Sequence, residues 1–274
     1  MQPRMPFTFG IPLMPRVAAQ NWPVVEALFG LTLTSVLAQT DQDFRAVILG
    51  HDRPQTLPID PRITFIEADW PSQAARPDNL DRGRKVHAIN NLVLESGGGL
   101  LILVDADDWV DVRLVETARA VIGLEHVGGV IDVGFAVDFR SLRAAALPDP
   151  RIFEGEFHRV CGSSTVAQLR SEDPDPLRRN PYEILHDHHR WIEGAEVHGA
   201  NLIRLPVFGI YVINTSQNHS EMHGPHTAWR RGFTRAVNQV GVPIDDSFLA
   251  QFGLSLDQVR TVSRASFQRP QYRG

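Results

Sequence analysis

Asp105, Asp107 and Asp108 fall within four consecutive residues, Asp105-Ala106-Asp107-Asp108, directly after the apolar run Leu100–Val104. Hard divalent cations such as Mg2+ and Mn2+ prefer carboxylate oxygens and usually take one or two of them together with substrate phosphates. Two carboxylates two residues apart, where a strand passes into a turn, can meet one hydrated ion and a nearby ribose. Aspartate is also common in turns and helix caps, so a structural turn is the alternative reading of the spacing alone. The position favours chemistry. Five apolar residues in a row are expected of a strand covered on both faces, and ligands of parallel sheets bind beyond the carboxyl ends of such strands.

The elements that must position this cluster alternate between strand and helix. Phe7–Leu13 is a predicted strand, and Pro23–Leu37 a predicted helix with Val25, Leu28, Phe29, Leu33, Val36 and Leu37 at helical spacing and proline in the first turn. Phe44–Leu49 and Ile63–Ile66 are short apolar strands. Arg82–Glu95 carries Val86, Ile89 and Val93 on one helical face and stops at Gly97-Gly98-Gly99. After the acidic cluster, Asp111 can cap a helix striped with Leu114, Val115, Ala118, Val121 and Ile122. Val130–Phe139 is then expected as a strand, 182–197 as a helix, and Leu202–Leu205 and Gly209–Ile213 as strands separated by Pro206. Repeated strand–helix–strand order predicts a mostly parallel sheet covered by helices.

Two ordered segments resemble those of family 2-like glycosyltransferases of the GT-A type. Ser35-Val36-Leu37-Ala38-Gln39-Thr40-Asp41-Gln42-Asp43-Phe44-Arg45-Ala46-Val47-Ile48-Leu49 is similar to that family's first helix and second strand. Leu101-Ile102-Leu103-Val104-Asp105-Ala106-Asp107-Asp108 is similar to its strand and D-x-D segment. The resemblance covers roughly residues 7–140. It implies an α/β GT-A fold (nucleotide-diphospho-sugar transferase-like), a nucleoside-diphosphate sugar donor and Mn2+ or Mg2+. Residues 1–140 would form the nucleotide-sugar-binding half. Residues 141–274 would form the acceptor-binding half and C-terminal tail of one continuous domain.

The resemblance also implies roles. Asp105 and Asp107 would hold the metal, and Asp105 would also meet the donor nucleotide. The family's second strand typically ends in Asp-Asp, whereas this chain has Gly50-His51-Asp52; Asp52 takes that base-contacting place one residue late, with a turn aspartate as the alternative. Basic residues before the D-x-D strand face the diphosphate in the family. That points to Arg84 or Lys85 of Arg82-Gly83-Arg84-Lys85, and Arg16 is another cation of the same kind. Seven of the eleven histidines lie between His186 and His226. In His186-Asp187-His188-His189, Asp187 is the expected base that deprotonates the acceptor hydroxyl in an inverting transfer, with Glu183 and Glu193 as rivals. In Asn218-His219-Ser220-Glu221-Met222-His223, His219 is the first choice for a third metal ligand, ahead of His223 and His226.

Composition narrows the alternatives. Twenty-seven basic against 32 acidic residues give a formal charge of −5, which does not suit a nucleic-acid binder. A single cysteine, Cys161, excludes an internal disulfide framework and a cysteine-rich zinc site. No run approaches the ~20 apolar residues of a membrane span, and no signal-type apolar stretch opens the chain, so a cytoplasmic protein is expected. A sugar-phosphate nucleotidyltransferase would need a glycine-rich loop after the first strand, which Gly10-Ile11-Pro12-Leu13-Met14-Pro15 lacks. A zinc hydrolase would be expected to show H-E-x-x-H, and none is present. The non-enzyme alternative is a nucleotide- or glycan-binding module that kept the fold without turnover. The acceptor is read as a glycan or a lipid-linked molecule. Arg260, Arg264, Arg269 and Arg273, with no acid after Asp257, suggest either a frayed tail or an acceptor or lipid-surface contact.

Overall fold

The computed structural model describes residues 4–185, 187–223 and 226–267; His186, Arg269 and Arg273 lie outside the described residues. In chain order the strands are β1 (Phe7–Pro12), β2 (Arg45–Gly50), β3 (Ile63–Glu67), β4 (Gly99–Leu103), β5 (Trp109–Val110) and β6 (His126–Val130). They continue with β7 (Gly134–Asp138), β8 (Arg143–Leu147), β9 (Thr165–Leu169), β10 (Asn201–Arg204), β11 (Gly209–Ile213) and β12 (Val242–Pro243). Seven of them make the main sheet in the order β10-β6-β9-β4-β1-β2-β3, in which β9 alone runs against the others. The expected α/β architecture with a mostly parallel, helix-covered sheet is therefore present. A second sheet, β12-β8-β7-β11-β5, stands beside it.

β4 is central, between β1 and β9, and all five of its residues are buried. Its entry needs glycine: at Gly99 φ is +124° and a Cβ would lie 2.6 Å from the Pro6 carbonyl oxygen. Helix α1 (Trp22–Leu37) is buried on two faces rather than one stripe. Trp22, Val25, Phe29, Leu33 and Val36 join the core that packs on β1, β2 and β4, while Val24, Leu28 and Leu31 join the core around Trp109, Ile210 and Phe252. That double burial explains why the helix is apolar almost all round. Helix α2 (Leu80–Glu95) lays Lys85, Ile89 and Val93 against the main sheet. Helix α3 (Leu114–Val121) buries Leu114, Val115 and Ala118.

Three expectations change in the folded chain. Asp111 is not the cap of α3, because the cap residue is Arg113; Asp111 Oδ1 instead accepts the Arg113 N–H at 2.9 Å, and its Oδ2 accepts from Gln251 Nε2 at 2.9 Å. Val130–Phe139 is not one strand. The chain leaves the main sheet after Val130 and enters the second sheet at Gly134, and the intervening Asp132 is ion-paired to Arg204 at 2.8 Å. The helix predicted over 182–197 is broken into α5 (Pro181–Ile184), a single 3-10 turn at His188–Arg190 and α6 (Trp191–Val197), preceded by the short α4 (Pro176–Arg179). Extended backbone at Asp187 (φ −76°, ψ 138°) interrupts it.

Beyond β11 the chain forms α7 (His219–Met222), α8 (Thr227–Val240), α9 (Asp246–Ala250) and α10 (Leu256–Phe267). Far from fraying, the segment that carries Arg260 and Arg264 packs as α10 on α1, with Val259 buried and Ser263 Oγ donating to the Phe139 carbonyl at 2.8 Å. Among the described residues no helix is long and apolar enough to cross a membrane.

Candidate active site

A cavity of about 220 Å3 opens beyond the carboxyl ends of β1 and β4. Leu13 and Met14 line it from the end of β1, Asp105–Asp108 from the end of β4, and Arg82 and Lys85 from the first turns of α2. Tyr211 of β11 and Asn218 and His219 at the start of α7 close the far wall. Strand β4 thus delivers its acids to a pocket that Arg82, Lys85 and His219 also line.

The three aspartates have different surroundings. Asp108 is buried and fully engaged: Oδ1 accepts the Val212 N–H at 2.9 Å, and Oδ2 accepts Ser163 Oγ at 2.7 Å and Cys161 Sγ at 3.4 Å. Burial and the neighbouring Asp105 charge push its carboxyl up to about 7 against those hydrogen bonds. It is a brace that fixes the turn to β11. Asp107 gives Oδ2 to Asn218 Nδ2 at 2.8 Å, and burial together with Asp108 and Asp105 holds it well above the usual carboxylate range. Asp105 uses a single oxygen: Arg82 Nε and Nη2 both donate to Oδ1, at 3.0 and 2.8 Å. Its Oδ2 faces Gly162, where a Cβ would lie 3.1 Å from it and 3.3 Å from Arg82 Nη2.

Asp105 and Asp107 therefore each keep one carboxylate oxygen without a hydrogen-bond partner among the described residues. This donor set fits a hydrated hard cation that completes its shell with phosphate oxygens. Among the described residues no three His, Cys, Asp or Glu side chains converge closely enough to hold a metal ion between them, so His219 does not stand with Asp105 and Asp107 as a ready third ligand. His219 lines the same cavity, and its Nε2 lies 2.8 Å from the Arg76 carbonyl oxygen. A carbonyl can only accept, so Nε2 is the donor in this contact and Nδ1 is the ring nitrogen left toward other partners. His223 lies against it with ring centroids 5.1 Å apart.

Of the basic segment, Arg82 and Lys85 reach the cavity, whereas Arg84 is exposed and does not line it. The period of α2 turns residue 84 to solvent while 82 and 85 face inward. Lys85 is 1% exposed and donates to the Leu13 carbonyl at 2.7 Å and to Asp81, and burial lowers its pKa against the pull of Asp81. Asp52 lies outside the cavity lining, where its Oδ2 accepts the Arg16 N–H at 2.8 Å, as a turn aspartate does.

Asp187 precedes the 3-10 turn, with His188 Nε2 at 3.3 Å and His189 Nδ1 at 3.1 Å from its carboxylate. Burial alone would raise its pKa, but His188, His189 and Arg82 outweigh it and hold the carboxyl below its ordinary value. His188 lies near Gly162, where a Cβ would be 3.8 Å from its Cδ2, but neither it nor Asp187 lines the cavity that holds the acids. The rivals are engaged elsewhere. Glu193 is paired to Arg159, and Glu183 accepts from Asn180 Nδ2. Arg82, Asn218, Ser163 and Gly162 escaped the sequence reading. Arg82 was two residues from a named candidate; the others meet the acids only through tertiary contacts 55 to 111 residues away along the chain.

The turn beside Asp187 carries a buried titrating group. His158 is 0% exposed, 3.5 Å from Glu156, and among the described residues neither ring nitrogen has a hydrogen-bond partner; burial lowers its pKa to about 4. Unfolded imidazole titrates near 6.5, so between about pH 6.5 and 4 the unfolded chain takes up a proton that the folded chain refuses. Stability is expected to fall by about 3 kcal/mol as pH drops through that window, and to lose nothing more from this group below it. Urea midpoints at pH 7 and 4.5 for the parent and His158→Phe measure this. Equal losses in both would show that His158 contributes nothing.

No protein-family model matches the chain, and no curated protein does. In solved structures the chain is similar to the crystal structure of 4-diphosphocytidyl-2C-methyl-D-erythritol synthase, with 14% identity over 75% of this chain and 89% of that one and a TM-score of 0.41. It is also similar to a proposed nucleotide-diphospho-sugar transferase from Desulfovibrio desulfuricans G20, with 12% identity over 87% of this chain and 99% of that one and a TM-score of 0.37. Likenesses of this degree concern the course of the chain and carry nothing about its chemistry.

Proposed function

We propose that the chain is a metal-dependent glycosyltransferase that moves a sugar from a nucleoside-diphosphate sugar to an acceptor hydroxyl with inversion. The observation that carries this reading is one cavity lined by Asp105 and Asp107, each with one carboxylate oxygen that has no hydrogen-bond partner among the described residues, and by Arg82 and Lys85. Asp105 and Asp107 would hold Mn2+ or Mg2+, and His219, which lines the same cavity without converging on them, would have to move to add its imidazole. A bound cation would supply Lewis acidity to the diphosphate leaving group. Arg82 grips Asp105 through Nε and Nη2, which leaves Nη1 for a phosphate oxygen. Lys85 lines the same cavity and, held by Asp81 and the Leu13 carbonyl, would support the side where charge grows as the glycosidic bond breaks. Asp187, ionised at neutral pH, takes the acceptor proton. Asn218 positions Asp107, and Asp108 braces the turn.

Mn2+ and a nucleoside diphosphate together are expected to raise the melting temperature more than the sum of their separate effects. Two carboxylates hold a cation weakly until phosphates complete its shell, and ligand at 100 times its dissociation constant adds ~2.7 kcal/mol by linkage. Absence of any shift with UDP, GDP and dTDP, each with Mn2+, would remove the donor-site assignment. Release of free nucleotide from a panel of sugar nucleotides then separates an enzyme from a binding module.

A further inference from the structure

A second cavity, of about 440 Å3, is walled by the same segment that closes the first. Residues 217–220 face the acidic cluster, while Asn214, Ser216, Glu221 and Met222 face the second cavity together with Gln20, Arg231, Thr234 and Arg235. Arg231 and Arg235 stand one turn apart on α8, and both are exposed. Neither has an ion-pair partner among the described residues, unlike Arg62, Arg113, Arg151 and Arg204, which are each held by a carboxylate. Glu221 is the one acid of the lining. Its Oε1 accepts the Asn214 N–H at 3.0 Å and Thr234 Oγ1 at 3.2 Å, so the carboxylate is held in place. Its Oε2 has no hydrogen-bond partner among the described residues. Met222 offers an apolar side and is itself fixed by Gln20 Nε2 at 2.8 Å from its sulfur.

Two guanidinium groups one helical turn apart present planar forks of donors that match phosphate oxygens. A carboxylate only accepts, so it repels a bare anion and receives hydroxyl protons. The two chemistries in one cavity suit a ligand that carries both groups. We propose that this cavity binds a phosphorylated polyol, with the phosphate on Arg231 and Arg235 and hydroxyls donating to Glu221 Oε2. The proposal does not depend on the donor reading of the first cavity.

Calorimetric titration in EDTA tests it, with sorbitol 6-phosphate, inorganic phosphate and sorbitol as probes. The parent should bind sorbitol 6-phosphate at least tenfold more tightly than inorganic phosphate and should not bind sorbitol measurably. Loss of charge-assisted hydrogen bonds in Arg231→Ala/Arg235→Ala should weaken the phosphorylated polyol by roughly tenfold or more. Both side chains are exposed, so this variant keeps its fold, and its response to UDP with Mn2+ should match the parent's. Glu221→Gln should narrow the preference for the ester over inorganic phosphate. No heat from sorbitol 6-phosphate at millimolar concentration, equal binding by parent and double-arginine variant, or equal affinity for ester and inorganic phosphate would each overturn the proposal.

Discussion

Asp105→Asn is expected to abolish the joint stabilisation by Mn2+ and nucleoside diphosphate and to cut transfer by at least about two to three orders of magnitude. The amide keeps the shape of the side chain, and the Asp105 backbone N–H still donates to Ser163 Oγ at 2.9 Å, so the turn persists. What disappears is the charge that a cation needs. The Arg82 pair adds a second, diagnostic expectation. Once Asp105 is neutral, Arg82 loses its charged partner, so nucleotide affinity without metal should be kept or rise while the metal-dependent part vanishes. Asp107→Asn should also lose the synergy. Its fold is safe, because the new amide oxygen can accept from Asn218 Nδ2, but Arg82 is not freed. If both variants respond to metal and nucleotide as the parent does, the acidic cluster is only a turn.

Asp187→Asn should spare donor binding and slow transfer by ~10²–10⁴-fold, the usual contribution of a general base. The proton it takes belongs to the acceptor, so the thermal shift with UDP and Mn2+ should be unchanged. Glu193→Gln and Glu183→Gln are the controls. Their carboxylates are spent on Arg159 and Asn180, so transfer should stay near the parental rate. A loss of activity in either rival with Asp187→Asn near normal would move the base. No effect from any of the three would remove the inverting mechanism.

Legibility followed range along the chain. β4 could be read because five successive apolar residues have one good explanation, and the turn after it inherits its position. The helix α2 could be read from Ile89 and Val93, and its inward face puts residues 82 and 85 together, but choosing between Arg82 and Arg84 needed the rotation of that face against β1. The region after residue 140 was less legible. The single strand expected over Val130–Phe139 changes sheets at residues 131–133, where a local apolar pattern is the same on either side of the crossing. The helix expected over 182–197 breaks at Asp187, and Leu185 and Trp191 are buried from separate short elements in one core cluster.

By itself the sequence determined the alternation of strands and helices, the central buried strand and the acids that follow it, because these depend on apolar periodicity and on turn chemistry within a few residues. Tertiary structure decided which acids are free. Asp108 is consumed by Val212, Ser163 and Cys161, Asp107 shares one oxygen with Asn218, and Asp105 shares one with Arg82. It also decided that Gly162 leaves room beside Asp105 and that His219 Nε2 is taken by the Arg76 carbonyl. Each of these outcomes depends on which donor from a distant segment comes within 3 Å or so of an oxygen, and side-chain hydrogen bonds are settled at that distance by packing, not by neighbours in sequence.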